Sequence, residues 1–145
     1  MTTYRHILLA TDCADAGSSA CRQTATLAGN LGAEVSLLKV LEHMPQDVPN
    51  EPVPPEDVDK IEWFTRRALE ELQQYAESSG IPAERANVVV TTESPEEEII
   101  RFIKSNGIDL VVVGAHERHG LALFQGRTAD NLIHNAPCDV LVVHL

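Results

Sequence analysis

At 145 residues, with 43% apolar and 23% charged side chains, the chain has room for one globular domain and is too mixed for a disordered or fibrous protein. Lysine and arginine total 11 against 22 aspartates and glutamates, a formal charge of −11. A field of that sign repels phosphate backbones and anionic lipid, which argues against nucleic acid and membrane partners.

No apolar run approaches the roughly 20 residues that span a bilayer. Met1 to His6 lead directly into a strand-like segment, without the apolar region and cleavage site of a secretory signal. Three cysteines, Cys13, Cys21 and Cys138, are odd in number and fit no zinc or CxxC spacing, so a reduced, cytoplasmic setting is expected.

Ile7 to Ala10 is a continuous apolar run ending at Thr11-Asp12, as expected of a strand buried on both faces. A helix is predicted next from the stripe Ala20, Thr24, Leu27, Ala28 and Leu31, stopped by Gly32. Val35 to Leu41 is a second strand. Met44 to Pro55 holds five of the eight prolines and is expected to form a stiff exposed loop. A long helix from about Glu56 to Ser79 follows, with Ile61, Phe64, Ala68, Leu72 and Tyr75 on one face. Val88 to Val90 is the third strand.

Ser94-Pro95-Glu96-Glu97 has the composition of a capping box, opening a helix that buries Ile99, Ile100 and Ile103 and stops near Gly107. Leu110 to Val113 is the fourth strand, leading into Gly114. A short helix is expected over about Thr128 to Asn135, closed by Pro137, and Val140 to Val143 is the last strand. Apolar strands alternating with helices imply a parallel sheet with right-handed crossovers, a single α/β sandwich. Ligands of such sheets bind beyond the strand C-termini, where strand order reverses, which directs attention to Thr11–Asp15, Val40–His43, Thr92–Ser94 and Gly114–Thr128.

The stretch from Gly114 to Thr128 leaves a strand, contains three glycines and enters a helix. Glycine permits close backbone approach, and a helix N-terminus favours an anion. Glu117 against Arg118 and Arg127 leaves one net positive charge in a strongly acidic chain, with His116 and His119 in reserve. A local anion pocket and a plain surface loop with a helix cap both fit these residues.

Three segments carry a resemblance to a known family. Tyr4 to Asp12, Asp109 to Gly114 and Ala136 to Val143 together resemble the opening, fourth and closing strands of a universal stress protein, and the likeness runs the whole length of the chain. The resemblance implies one universal stress protein domain over residues 1–145: a five-stranded parallel α/β sheet of order 3-2-1-4-5 sandwiched by helices, Rossmann-like and of the adenine nucleotide alpha hydrolase type. It also implies a homodimer and, in the nucleotide-binding branch, ATP held by G-x2-G-x9-G-[ST].

Carried over by position, Asp12 would face the adenine and ribose, with Ala10 and Thr11 beside it. Val40 would line the adenine pocket. Gly114, preceded by Val113, matches the first motif glycine, Gly126 matches the third, and His116 lies between the first two motif positions. Three departures stand out. Glu117 occupies the place of the second glycine, eight residues rather than nine separate it from Gly126, and Arg127 replaces the usual serine or threonine, with Thr128 following.

Other features have simpler explanations. Cys13 at a strand end is expected to be a passive small residue, with a redox-sensing thiol as the sharper alternative. His116 and His119 lack an evident third ligand, so no metal is expected. Glu96-Glu97-Glu98 suits the positive end of a helix dipole. Trp63 beside the apolar stripe fits core packing and a partner contact equally. No Ser/His/Asp or Cys/His set and no carboxylate pair emerges, so an efficient enzyme is not expected, slow ATP hydrolysis at most. Val140 to Val143, apolar on both faces and at the sheet edge in the implied strand order, is expected to pair in a two-fold homodimer.

Two functions follow: a dimeric stress-response sensor or regulator binding ATP, with or without Mg²⁺, or a related adenine nucleotide, and a dimeric interaction module of the A-type branch that binds protein partners and no nucleotide.

Overall fold

The computed structural model describes residues 3–10, 17–41, 54–91, 94–115 and 126–144, with 17–19, 115, 126–128 and 144 described by their backbone alone. The apolar runs form β1 (His6–Ala10), β2 (Glu34–Leu41), β3 (Ala86–Val90), β4 (Leu110–Ala115) and β5 (Asp139–His144). Between them lie α1 (Gly17–Leu31), α2 (Lys60–Ser78), α3 (Pro95–Asn106) and α4 (Gly126–Asn135). All pairings are parallel and the strand order is β3-β2-β1-β4-β5, as the resemblance implied.

Alternation along the strands divides the core into two layers. Ile7, Leu9, Leu37 and Val112 point toward Ala20, Cys21 and Ala28 of α1 and Leu72 and Ala76 of α2. Leu8, Ala10, Leu38, Val40, Val111 and Val113 point toward Ile99 and Ile103 of α3 and Ala129 and Leu132 of α4. A sheet with helices on both faces leaves its central strands no polar side, which is why β1 and β4 are apolar over Ile7–Ala10 and Leu110–Val113.

Local signals set the helix ends, with some corrections. α2 starts at Lys60 rather than near Glu56, because Asp59 caps it by accepting from the Glu62 amide at 3.0 Å. Its first turn overhangs the core, so Ile61 is 54% exposed and the buried stripe is Phe64, Ala68, Leu72 and Ala76. Ser94 is the N-cap of α3 and Pro95 its first residue, yet the serine hydroxyl makes no capping hydrogen bond; the Ser94 carbonyl instead accepts from Glu98 N at 3.5 Å. α3 ends on Gly107 in the left-handed region (φ 63°), where glycine carries no Cβ penalty, and the Gly107 amide closes onto the Ile103 carbonyl. α4 starts two residues before Thr128, so Gly126 is its first residue.

Trp63 is half-buried, edge-on to Phe64 with ring centroids 4.9 Å apart and the Arg67 guanidinium 5.5 Å from its ring centre. Among the described residues no helix is long and apolar enough to cross a membrane.

Candidate functional site

Right-handed crossovers put α1 and α2 on one face and α3 and α4 on the other, so strand order reverses between β1 and β4. At that reversal the C-terminal ends of the two strands lie side by side, with Ala10 in register with Val113. Gly114 is the next residue of β4, buried and in register with Val143 of β5. On the other side of β1, Ala10 is in register with Leu38, which sets Val40 two residues further toward the C-terminal edge of β2. Val40 is fully buried and shares one apolar cluster with Ala10 and Val113.

Four of the expected site residues, Ala10, Val40, Val113 and Gly114, are thus brought to one place by strand register alone. Ala10 and Gly114, at the ends of β1 and β4, are small residues of the kind that permit close backbone approach. α4 enters over the same face, held by Ala129 and Leu132 in the cluster that contains Val113. Its first turn, Gly126, Arg127 and Thr128, carries amides without intrahelical partners, the part of a helix suited to an anion. Thr11, Asp12, Cys13, His116, Glu117, Arg118 and His119 lie outside the described residues.

The first turn of α3 belongs to the same edge, and its acidic run does more than complement a helix dipole. Glu98 accepts from the buried Thr91 hydroxyl at 3.1 Å and from Arg101 Nη1 at 2.5 Å, so its charge is neutralised where β3 ends. Glu96 accepts from Asn131 Nδ2 of α4 at 2.9 Å. The i,i+3 spacing of Glu98 and Arg101 is a sequence signal for the first contact. Nothing local announces the second, which joins residues 35 positions apart.

At the N-terminal edge of the sheet lies a second polar constellation that the sequence reasoning missed. Asp109 accepts the Arg5 and His6 amides at 2.8 and 3.1 Å. The His6 ring sits between the Asn106 carbonyl, 3.2 Å from Nδ1, and the Ser36 hydroxyl, 2.7 Å from Nε2. A carbonyl only accepts, so in the neutral ring Nδ1 carries the hydrogen and Nε2 accepts from Ser36. A buried serine within an apolar strand is the clue that a partner must exist.

A cavity of about 290 Å³ opens near this edge, between the C-terminal half of α1 and the turn after α2, lined by Ala25, Ala28, Val35, Ile81 and Pro82. Its charged groups, Glu34 and Arg85, pair with each other at 3.3 Å. It lies at the wrong end of the strands for the site above, and its geometry is that of a groove left by small residues.

Among the described residues no group of three histidine, cysteine or acidic side chains is placed to hold a metal ion. Cys21 is buried, and desolvation raises its thiol pKa, opposed by hydrogen bonds with Ser79 and Tyr75. Desolvation also pushes the Cys138 thiol up to about 11, with the Asp139 and Asp109 carboxylates adding to the shift and a Val111 backbone hydrogen bond opposing it. Neither is an activated nucleophile.

A sequence model of the universal stress protein family matches residues 3–144. The chain belongs to that family. A curated relative, universal stress protein A homolog 1 of Coxiella burnetii, is 29% identical over 140 residues, covering 97% of this chain and 96% of the relative. Among solved structures, a universal stress protein in complex with cAMP superposes with a TM-score of 0.63 at 21% identity, covering 99% of this chain and 98% of the other. The Archaeoglobus fulgidus universal stress protein in complex with dAMP gives a TM-score of 0.60 at 19% identity, covering 97% and 98%. At such identities the superpositions establish a shared Rossmann-like fold. Within this universal stress protein, the β1–β4 reversal and the start of α4 are the features to which a functional reading attaches.

Proposed function

We propose that this universal stress protein is a cytoplasmic stress-response regulator or sensor that binds ATP or a related adenine nucleotide at the C-terminal edge of the sheet. The observation that carries the reading is the meeting of three elements at one edge: Ala10 beside Val113, Gly114 directly after it, and α4 beginning at Gly126 over the same face. In this reading Ala10 and Val40 border the adenine, and Thr11 and Asp12 take the adenine and ribose edge. Gly114, His116 and Glu117 flank the phosphates, which rest on the first-turn amides of α4 at Gly126, Arg127 and Thr128. Arg127 adds a positive charge in a chain of net −11, offsetting Glu117. Relatives solved with cAMP and with dAMP support an adenine nucleotide as the ligand class. Any Mg²⁺ arrives on the nucleotide's own phosphates, a common mode for this ion. Hydrolysis is expected to be slow at most, since the sequence offers no Ser/His/Asp or Cys/His set.

The protein acts as a homodimer through β5. Leu141 on this edge strand is 38% exposed, and an uncovered apolar edge is stabilised by pairing. Calorimetric titration of the full chain with ATP and Mg²⁺ tests the nucleotide reading. Binding with a thermal upshift is expected, and no heat and no shift at millimolar nucleotide would sink it.

Glu117 in place of a motif glycine and the loop one residue shorter favour a second reading, a dimeric interaction module without nucleotide. Mass spectrometry of small molecules released from the purified protein separates the two. Adenine nucleotide in the extract excludes the second.

A further inference from the structure

The hydrogen bond between Glu96 and Asn131 joins the two helices whose first turns lie at the edge of the candidate site. α4 is short, and among its described side chains Ala129 and Leu132 are buried in the sheet cluster, with Ala136 just past its end packed against the same cluster. At about 100° per residue Ala129 and Leu132 lie close together on the helix circumference, forming a single narrow apolar seam. Apolar contact is non-directional, so such a seam fixes the depth of a helix better than its roll about its axis. On one flank of the seam Ile133 is 54% exposed. On the other flank Asn131 Nδ2 donates to Glu96 Oε1 at 2.9 Å, a directional bond with a charged acceptor. Glu96 is itself held in the first turn of α3, whose Pro95, Ile99 and Ile103 are buried.

We infer that the Glu96–Asn131 bond is the positioning contact that sets the roll of α4, and with it the aim of the Gly126–Thr128 amides toward the nucleotide's phosphates. The inference rests on the nucleotide-binding reading and deepens it: both residues act through α4, and neither touches the ligand. Because Glu96 places a negative charge on the same edge, its hydrogen bond and its charge have opposite consequences for an anion. Glu96→Gln keeps an acceptor for Asn131 and removes the charge. Glu96→Ala removes both.

The test titrates the full chain and its variants with ATP and with adenosine, and follows hydrogen exchange of the 126–135 segment without ligand. Asn131→Leu and Glu96→Ala are expected to weaken ATP about threefold to tenfold, the range for one ordinary lost hydrogen bond, since Glu96 is half-buried and acts through the helix. Adenosine, which has no phosphates to aim at, is expected to bind within twofold of the parent. Glu96→Gln is expected to hold ATP as well as the parent or better, and Glu96→Ala combined with Asn131→Leu to lose no more than either single change. The hydrogen-bonded amides of α4, from Asp130 to Asn135, are expected to exchange faster in Asn131→Leu than in the parent. Equal weakening of ATP and adenosine, a Glu96→Gln as weak as Glu96→Ala, or unchanged exchange overturns the inference. A parent chain that binds neither ligand overturns the nucleotide reading instead, and the exchange comparison then still decides whether this contact governs α4.

Discussion

At the N-terminal edge of the sheet, side chains close on one another; at the C-terminal edge, small strand-end residues face helix N-termini. At the first edge Asp109 collects two β1 amides, Ser36 and the Asn106 carbonyl grip the His6 ring, and the Tyr4 hydroxyl donates to Asp139 at 2.6 Å. These bonds satisfy backbone and side-chain groups internally and leave little for a ligand to use. At the second edge Ala10, Gly114 and the start of α4 offer backbone rather than side chains. One edge therefore serves to hold the sheet together, and at the other, in the proposed reading, the first-turn amides of α4 meet the ligand. Polar satisfaction, more than residue type, separates stability from binding in this fold.

Breaking the first edge produces the largest effect that leaves the other edge intact. Asp109→Ala removes a charged acceptor from two amides and is expected to cost about 2 kcal/mol in urea unfolding, given its half-exposed position. ATP affinity is expected to stay within twofold, since the change lies a full strand length from the site. A matching loss of affinity would show the two edges to be coupled and the comparison to be wrong. Ser36→Ala is a smaller version, expected to cost about 1 kcal/mol by taking the donor from His6 Nε2 while water replaces part of the bond. The edge strand sharpens the contrast differently. Leu141→Glu puts a charge on the exposed face of β5 and, if the proposed β5 pairing holds, shifts the chain from dimer to monomer in sedimentation velocity. A dimer that survives it would place the interface elsewhere.

How much of this was legible in the sequence depends on the range of the interaction. Short, mainly apolar runs announced all five strands, and Gly107 and Pro95 marked the ends of α3, because these are properties of a few neighbouring residues. The start of α2 was displaced because Asp59 competes with earlier residues for the cap, a choice composition alone does not make. Ile61 looked like core because periodicity cannot tell where a helix overhangs its sheet. Ala10, Val113 and Gly114 stood out as strand ends, yet their adjacency follows from strand order, which rested on the family resemblance. His6 with Ser36 and Glu96 with Asn131 were invisible, since each pair is about 30 or more residues apart and depends on register and helix docking that no local pattern encodes.

The smallest effect on stability concerns a group at the first edge. Cys138 opens the turn into β5, and burial among apolar neighbours, joined by the Asp139 and Asp109 charges, lifts its thiol from an ordinary 9.0 to about 11. The folded chain thus holds the proton where the unfolded chain would release it. The stability this contributes is fully present below pH 9 and declines as pH rises toward about 11. In reactivity the sign is the same. At pH 9 an ordinary thiol is about half thiolate and Cys138 about 1%, so its alkylation is expected to run about fiftyfold slower in the native protein than in urea. Peptide-resolved mass spectrometry isolates this cysteine from Cys13 and Cys21. Asp139→Asn removes a secondary contributor and leaves desolvation in place, so it is expected to recover only a minor part of the rate. Full recovery would mean that charge, and not burial, silences the thiol, and that the turn into β5 is wetter than its apolar neighbours imply.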